Sequence, residues 1–370
     1  MHLRTLSLVN FKNYEQIDLP LCEKINCFVG ENGVGKTNLL DAIHYLALCK
    51  SNLNPVDVQN IKYDQEFSVI QGVFEREGKE ENIYCGIRKQ KKKQFKRNRK
   101  EYQRLSEHIG LIPLVMISPS DSTLINGGSE ERRKFMNEVI AQYSHVYLSN
   151  LIQYNRALTQ RNSLLKEGAG GRGPEREVIE IWDEQLIRYG EPIYEERKRF
   201  VEDLLPVFSS YYEHVSGNQE KVTLVYEAQL DTKDFRKGLM DSLEKDRIVQ
   251  YTTFGVHKDD LGMSLEGYPL KKSGSQGQQK TFLVALKLAE FEFIRKLMEI
   301  PPILLLDDIF DKFDAGRVRQ IISLVAENHF GQIFITDTNE QRLKGILKEI
   351  PADHRVFKLD HKGSFQVLEE

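Results

Sequence analysis

Gly30-Glu31-Asn32-Gly33-Val34-Gly35-Lys36-Thr37 matches the pattern G-x-x-x-x-G-K-[ST] at every position. Glycines at these places let backbone N–H groups turn inward with no Cβ in the way. Such donors, together with the N-terminus of a following helix, hold phosphate oxygens. The flanks supply the context that the loop requires. Ile25-Asn26-Cys27-Phe28-Val29 reads as a short strand, and Lys36 to Leu48 carries Leu39, Leu40, Ile43, Leu46 and Ala47 at helical spacing. Residues 30–37 are therefore expected to cradle a nucleoside triphosphate, with ATP and Mg²⁺ as cofactors. Lys36 would neutralise the β- and γ-phosphates, and Thr37 would offer an oxygen to Mg²⁺.

A carboxylate partner stands 271 positions beyond Lys36, in Ile303-Leu304-Leu305-Leu306-Asp307-Asp308. A buried strand there would deliver Asp307 towards Mg²⁺ through water and Asp308 towards the attacking water. The candidate catalytic set is thus Lys36, Asp307 and Asp308, with Thr37 and Asp307 on the metal. Between them, Ser273-Gly274-Ser275-Gln276-Gly277-Gln278-Gln279-Lys280 resembles the signature of ABC-type ATPases. Ser275, Gly277 and Gln278 take the matching places, and Gln276 replaces the first glycine of the usual pair. In that class the serine meets the γ-phosphate held by a second subunit. Phe313-Asp314 resembles the D-loop. Ile335-Thr336-Asp337 lies where many ABC proteins carry a histidine, which leaves Thr336 or Asp337 as the γ-phosphate sensor. Met116 to Asp121 is the candidate region for the Q-loop.

The chain of 370 residues is too long for one small core. The expected organisation is α/β, an ABC-type P-loop head made from residues 1–120 and 251–370, with residues 121–250 inserted as a helical arm. Ser129 suits a helix cap, and Phe135, Val139, Tyr143, Tyr147, Leu151, Tyr154 and Leu158 follow as one stripe. A second helical stretch spans Glu175 to Ser209, with a kink or break at Pro192. No run of 18 apolar residues occurs, and the first residues are too polar for a secretory signal. Cys22, Cys27, Cys49 and Cys85 form no C-x-x-C pair, and three of them read as core residues in a reducing compartment.

A formal net charge of -3 rules out a generic polycation, so nucleic acid would need a local basic patch. Arg88 to Lys100 supplies one, with nine Lys or Arg in thirteen residues. It is expected to form a hairpin that contacts DNA phosphates through Lys91, Lys92, Lys93, Lys96 and Arg97, without a base code. Arg132 and Arg133 suit either DNA or an intramolecular role.

Several ordered segments resemble the RecF family, within the RecF/SMC/Rad50-like ABC ATPases. They are Phe11-Lys12-Asn13-Tyr14, the phosphate loop continuing through Asn38-Leu39-Leu40-Asp41-Ala42-Ile43, and Ser118-Pro119 with Leu124, Gly127, Gly128, Arg132, Arg133 and Phe135. Asn155, Gln160-Arg161-Asn162, His257-Lys258-Asp259-Asp260-Leu261 and Ser275 to Thr281 complete the set. Val256 stands where the family often has proline, and Lys258 where arginine is common. The resemblance implies a cytoplasmic protein of recombinational repair, replication maintenance and the SOS response. It implies binding to double-stranded DNA near single-strand gaps, an ATP-dependent homodimer, slow DNA-dependent ATP hydrolysis, and RecO and RecR as partners in recombinase loading. An ABC-headed nuclease would need an added metal-carboxylate domain, and an SMC-like organiser a long coiled coil. Neither is evident in the insertion.

Overall fold

The computed structural model describes residues 1–167, 176–217, 220–308, 330–348, 352–361 and 363–369. The chain begins with β1 (His2–Phe11), β2 (Tyr14–Pro20), β3 (Ile25–Val29) and helix α1 (Lys36–Leu48). Strands β4 (Phe67–Arg76), β5 (Lys79–Arg88), β6 (Gln94–Arg97), β7 (Lys100–Glu101) and β8 (Leu114–Ile117) follow. Next come α2 (Ser122–Asn126), α3 (Ser129–Tyr143), α4 (His145–Glu167) and α5 (Arg176–Ser216). Then come β9 (Val222–Glu227), α6 (Phe235–Val249), β10 (Asp260–Leu265), β11 (Tyr268–Pro269), α7 (Leu270–Ser273) and α8 (Gln276–Met298). The chain closes with β12 (Ile303–Leu306), β13 (Ile333–Asp337), α9 (Glu340–Leu347), β14 (His354–Leu359) and β15 (Phe365–Glu369).

Two compact units result. The first holds residues 1–121, 214–217 and 280–370, and the second 122–213 and 218–279. The second boundary thus falls after Gln279, not after residue 250. Residues 251–279 pair and pack with the inserted helices because β10 is hydrogen-bonded to β9 along Asp260–Leu265.

The first unit contains an antiparallel sheet in the order β2-β1-β4-β5-β6-β7 and a second sheet in the order β15-β14-β3-β13-β12-β8. In the second sheet, β14, β3, β13, β12 and β8 run parallel. Strands β3, β8, β12 and β13 are buried at every residue, as parallel strands covered on both faces require. Eleven of the thirteen residues of α1 are buried, which explains why its sequence is apolar on nearly every side. One core joins α1 to residues from both sheets, among them Leu6, Phe28, Leu40, Ile70, Leu305 and Phe357. Gln332 rivets this unit. Its amide donates to the Leu3 and Cys22 carbonyls at 2.8 Å each, and its oxygen accepts the Leu3 N–H at 2.6 Å. Cys27, Cys49 and Cys85 are buried and Cys22 is partly so, and all four are free thiols.

The second unit carries α2 to α7 and a small sheet in the order β11-β10-β9. The stripe from Phe135 to Leu158 is two helices, not one. Ser144 leaves the helical region (φ -125°, ψ 97°), and its hydroxyl accepts the Tyr147 N–H, so it caps α4. Helix α5 instead runs through Pro192 and Pro206 as one helix, so of the kink or break expected at Pro192 there is no break. Two buried arginines tie these helices together. Arg161 on α4 pairs with Asp183 on α5 at 2.6 Å and Asp246 on α6 at 2.7 Å. Arg197 on α5 pairs with Asp259 at 3.1 Å. No described helix is long and apolar enough to cross a membrane.

Candidate nucleotide site

Strand β3 ends at Val29 and α1 opens at Lys36, so residues 30–35 form the loop between them. Gly33 and Gly35 have φ of 85° and 106°, in the left-handed region where a side chain is strained. Gly35 is glycine for a second reason. A Cβ there would lie 2.4 Å from Asn13 Nδ2 and 2.8 Å from the Tyr14 hydroxyl. Those two side chains buttress the loop from below. Asn13 donates to the Val34 carbonyl at 3.0 Å, Tyr14 donates to the Gly35 carbonyl at 3.1 Å, and Asn38 donates to Asn13 Oδ1 at 2.7 Å. Lys12 pairs with the buried Asp41 of α1 at 2.5 Å. The carboxylate of Asp41 also accepts from the Ser51 hydroxyl and the Asn52 N–H, at 2.6 Å each. The Phe11-Lys12-Asn13-Tyr14 stretch therefore acts as scaffolding for the phosphate loop. Its chemistry gave no such role at the level of sequence.

Lys36 is buried, and its ammonium lies within the loop, donating to the Gly30 and Glu31 carbonyls at 2.8 and 2.9 Å. Glu31 is exposed and 3.0 Å from His361, and Asn32 is exposed beside it. Strands β3 and β12 are not neighbours, because β13 lies between them. That order places Thr336 of β13 between the phosphate loop and the acidic pair. The Thr37 and Thr336 hydroxyls both donate to Asp307 Oδ1, at 2.9 and 2.8 Å. The Thr336 oxygen in turn accepts the Asp308 N–H at 2.8 Å. Asp308 sits at φ 49°, a left-handed position for a non-glycine residue, and that hydrogen bond helps hold it there. Burial pushes the Asp307 carboxyl above its ordinary range, against the opposing pull of the two hydroxyls and of Lys36.

The donor set suits a hard cation. Thr37 and Asp307 present oxygens 2.9 Å apart, and Mg²⁺ takes few protein ligands when phosphates supply the rest. No cluster of three His, Cys, Asp or Glu that could hold a metal occurs among the described residues. Thr336 and Asp337 are both fully buried. Asp337 accepts from Arg342 at 2.6 and 3.0 Å and from the Asn339 N–H at 2.9 Å. Both side chains are thus already hydrogen-bonded within the protein, Thr336 to both members of the acidic pair. Phe313-Asp314 lies outside the described residues.

Ser275 precedes α8 and makes a reciprocal cap with Gln278. The Gln278 N–H donates to Ser275 Oγ at 3.2 Å, and Gln278 Oε1 accepts the Ser275 N–H at 2.8 Å. Gln278 also donates to Glu220 at 2.8 Å. Ser275 remains exposed, with Gly277 partly so.

The basic run spans the turn after β5, all of β6 and the start of β7, so it does form hairpins at the edge of the antiparallel sheet. Its cations divide into two groups. Lys91 and Lys92 are exposed. Lys93 points inward, donating to the Cys49 carbonyl at 2.6 Å and to Asp57 at 3.1 Å, with the Tyr45 ring 5.1 Å away. It is removed from the expected DNA contacts, because α1 and the Asp57 segment neutralise it. Arg97 makes a bidentate pair with Glu81 at 2.5 and 2.8 Å, and Lys96 stands 5.5 Å over the Tyr84 ring. Of the two uses open to Arg132 and Arg133, the structure displays the intramolecular one. Arg132 grips Asp260 at 2.6 and 2.8 Å, and Arg133 donates to the Asp259 carbonyl at 2.7 Å.

A parallel sheet with a phosphate loop after one strand and an acidic pair after another defines an ABC-type P-loop head. The family model described as the RecF/RecN/SMC N-terminal domain matches residues 2–355. The chain belongs to the RecF family. It is 51% identical over 361 residues to the DNA replication and repair protein RecF of Bacteroides thetaiotaomicron, covering 97% of each chain. It is 52% identical over 370 residues to that of Parabacteroides distasonis, covering 100% of each. Among solved structures, the recombination mediator protein RecF with ATP matches at a TM-score of 0.89 and 29% identity, covering 99% of this chain and 97% of that one. An Smc head bound to the C-terminal winged-helix domain of ScpA matches at 0.58 and 14% identity over 100% of this chain and 97% of that one, a likeness of fold.

Proposed function

We propose that the chain is an ATP-gated DNA-binding protein of DNA replication and recombinational repair, active in the cytoplasm, that hydrolyses ATP slowly as a switch. The observation that carries this reading is the Thr37–Asp307–Thr336–Asp308 chain of hydrogen bonds beside Lys36. Residues 30–35 and the N-terminus of α1 bind the phosphates, and Lys36 leaves its loop carbonyls for phosphate oxygens. Thr37 and Asp307 hold Mg²⁺, which neutralises charge on the phosphates when bound. Asp308 orients the attacking water and receives its proton. DNA engages the exposed part of the basic run, with RecO and RecR as partners by family. The direct test is DNA binding with and without ATP on duplex, single-stranded and gapped substrates. ATP should raise affinity for gapped duplex, and equal affinity with and without nucleotide would remove the gating.

We further infer that ATP joins two chains, with Ser275, Gly277 and Gln278 of one facing the γ-phosphate held by the other. The Ser275 hydroxyl suits this, since it accepts from Gln278 and keeps its own proton to donate. Ser275→Arg and Lys36→Met chains should each be inactive alone. Mixed dimers regain one site built from an intact loop and an intact signature. Turnover should therefore peak near equal mixing, and a flat profile with mixed dimers demonstrably present would leave a monomeric ATPase.

Replacing Lys91 and Lys92 with alanine should weaken duplex binding and lower the slope of log K against log[salt] by up to about 0.9 per lost phosphate contact. An unaltered slope would take these lysines out of the interface. Lys93→Ala should instead lower the melting temperature, because it leaves Asp57 half-buried and unpaired.

A further inference from the structure

The outer face of the antiparallel sheet carries a depression that the phosphate chemistry above does not use. Register aligns Phe67 with Arg88, Val69 with Gly86, Gly86 with Gln94, and Tyr84 with both Gln71 and Lys96. At its centre is Gly86, in the interior of β5. Its backbone lies outside the left-handed region, so glycine is not there for conformation. A Cβ at Gly86 would lie 2.8 Å from the Tyr84 hydroxyl. A glycine inside a strand without a conformational need marks a close approach, and here the Tyr84 ring folds over it, its Cε1 3.1 Å from where a Cβ would lie. The resulting cavity is about 310 Å³, lined by Phe67, Tyr84, Gly86, Arg88, Lys91 and Lys92 among others. Phe67 is 44% exposed although it is a large apolar ring.

Of the cations outside the cavity lining, Lys89, Lys93 and Arg97 are paired with Glu66, Asp57 and Glu81, whereas Lys96, Arg99 and Lys100 have no carboxylate partner among the described residues. Arg88, Lys91 and Lys92, on its rim, have no carboxylate partner among the described residues. Two aromatic rings, Tyr84 lying over the Gly86 backbone and Phe67 exposed beside the cavity, with Arg88, Lys91 and Lys92 on the rim, match one kind of ligand unit: a planar ring joined to a phosphate.

We propose that this depression receives an unstacked nucleotide of single-stranded DNA, its base against the Tyr84 and Phe67 rings and its phosphate on Arg88, Lys91 and Lys92. The inference rests on the DNA-binding reading and refines it. Duplex DNA offers its phosphates to the rim, but its paired bases cannot enter the cavity. The site would thereby distinguish the gap from its duplex flanks, tolerantly of sequence, since every base has a π-face.

The test compares the full-length wild-type chain with Gly86→Val, Tyr84→Leu and the Lys91→Ala/Lys92→Ala double variant. Binding of labelled oligo(dT) and of a blunt duplex is followed by anisotropy, with melting curves for each protein. Gly86→Val displaces the Tyr84 ring, whose Cε1 and Cζ lie 3.1 and 3.3 Å from the Cβ position, and Tyr84→Leu removes the ring while keeping bulk. Each should weaken oligo(dT) binding at least about fivefold, the worth of one stacked base, and leave duplex binding within twofold. The lysine variant should weaken both. If neither Gly86→Val nor Tyr84→Leu affects oligo(dT), or if both substrates weaken equally, the nucleotide pocket is overturned. If instead the lysine variant binds duplex as wild type does, it is the broader DNA-face reading that fails.

Discussion

Lys36→Met is expected to weaken ATP binding by roughly one to two orders of magnitude. The ammonium is buried and donates to the Gly30 and Glu31 carbonyls, so it is already held at the point where phosphates enter. Methionine preserves length and apolar packing but supplies neither charge nor donor. The lost charge-assisted contact costs about 1.5–3 kcal/mol, which corresponds to a rise in Kd of roughly ten- to a hundredfold. Calorimetric titration with ATP reads this directly. Since the folded loop also loses two internal hydrogen bonds, a melting curve belongs beside it. Wild-type affinity in a folded Lys36→Met protein would dissociate the loop from nucleotide binding.

Asp308→Asn is expected to leave ATP binding near wild type and to slow turnover by about 10²- to 10⁴-fold, the usual worth of a positioned general base. Asp307→Asn should instead raise the Mg²⁺ concentration required for half-maximal rate. Thr336→Val separates positioning from chemistry. It strips Asp307 of one donor and leaves the Asp308 N–H without its acceptor, so both the Mg²⁺ requirement and the turnover should worsen. Thr336→Ser restores the hydroxyl and should rescue both. Acid should act the same way as Asp307→Asn. Burial holds the folded pKa of Asp307 above the ordinary carboxylate value, so the charge that faces Mg²⁺ is lost at a higher pH than a free carboxylate would lose it. If the valine variant turns over as wild type, the Thr37–Asp307–Thr336–Asp308 hydrogen-bond chain is only packing.

The phosphate loop and the acidic strand were legible because each is a contiguous string with a local physical need. Glycines permit positive φ, and a fully apolar run marks a strand buried on both faces. The remainder depends on contacts remote in sequence. The hydrogen bonds of Thr336 to Asp307 and Asp308 were not legible because those partners are almost thirty residues away. Lys93 read as one more cation in a basic run, since nothing nearby in sequence discloses that the end of α1 and Asp57 lie beneath it. Ser144 was hidden inside an unbroken apolar stripe, although a serine followed three residues later by an N–H it can accept is a signal that could have been weighed. The boundary after Gln279 reflects the pairing of β10 with β9, and no composition shift marks it.

The inward lysine has a mechanical consequence. Helix α1 begins at the phosphate loop and ends at Leu48, thirteen residues and about 20 Å later. At that far end Lys93 is clamped to the Cys49 carbonyl, the Tyr45 hydroxyl and Asp57, and it is the residue that follows Lys91 and Lys92. The basic turn is thus bolted to the tail of a rod whose head is the nucleotide loop. A tilt of roughly 5° about the head moves the tail, and the turn with it, by about 2 Å. The inward Lys93 is the bracket through which its neighbours would ride on the lever.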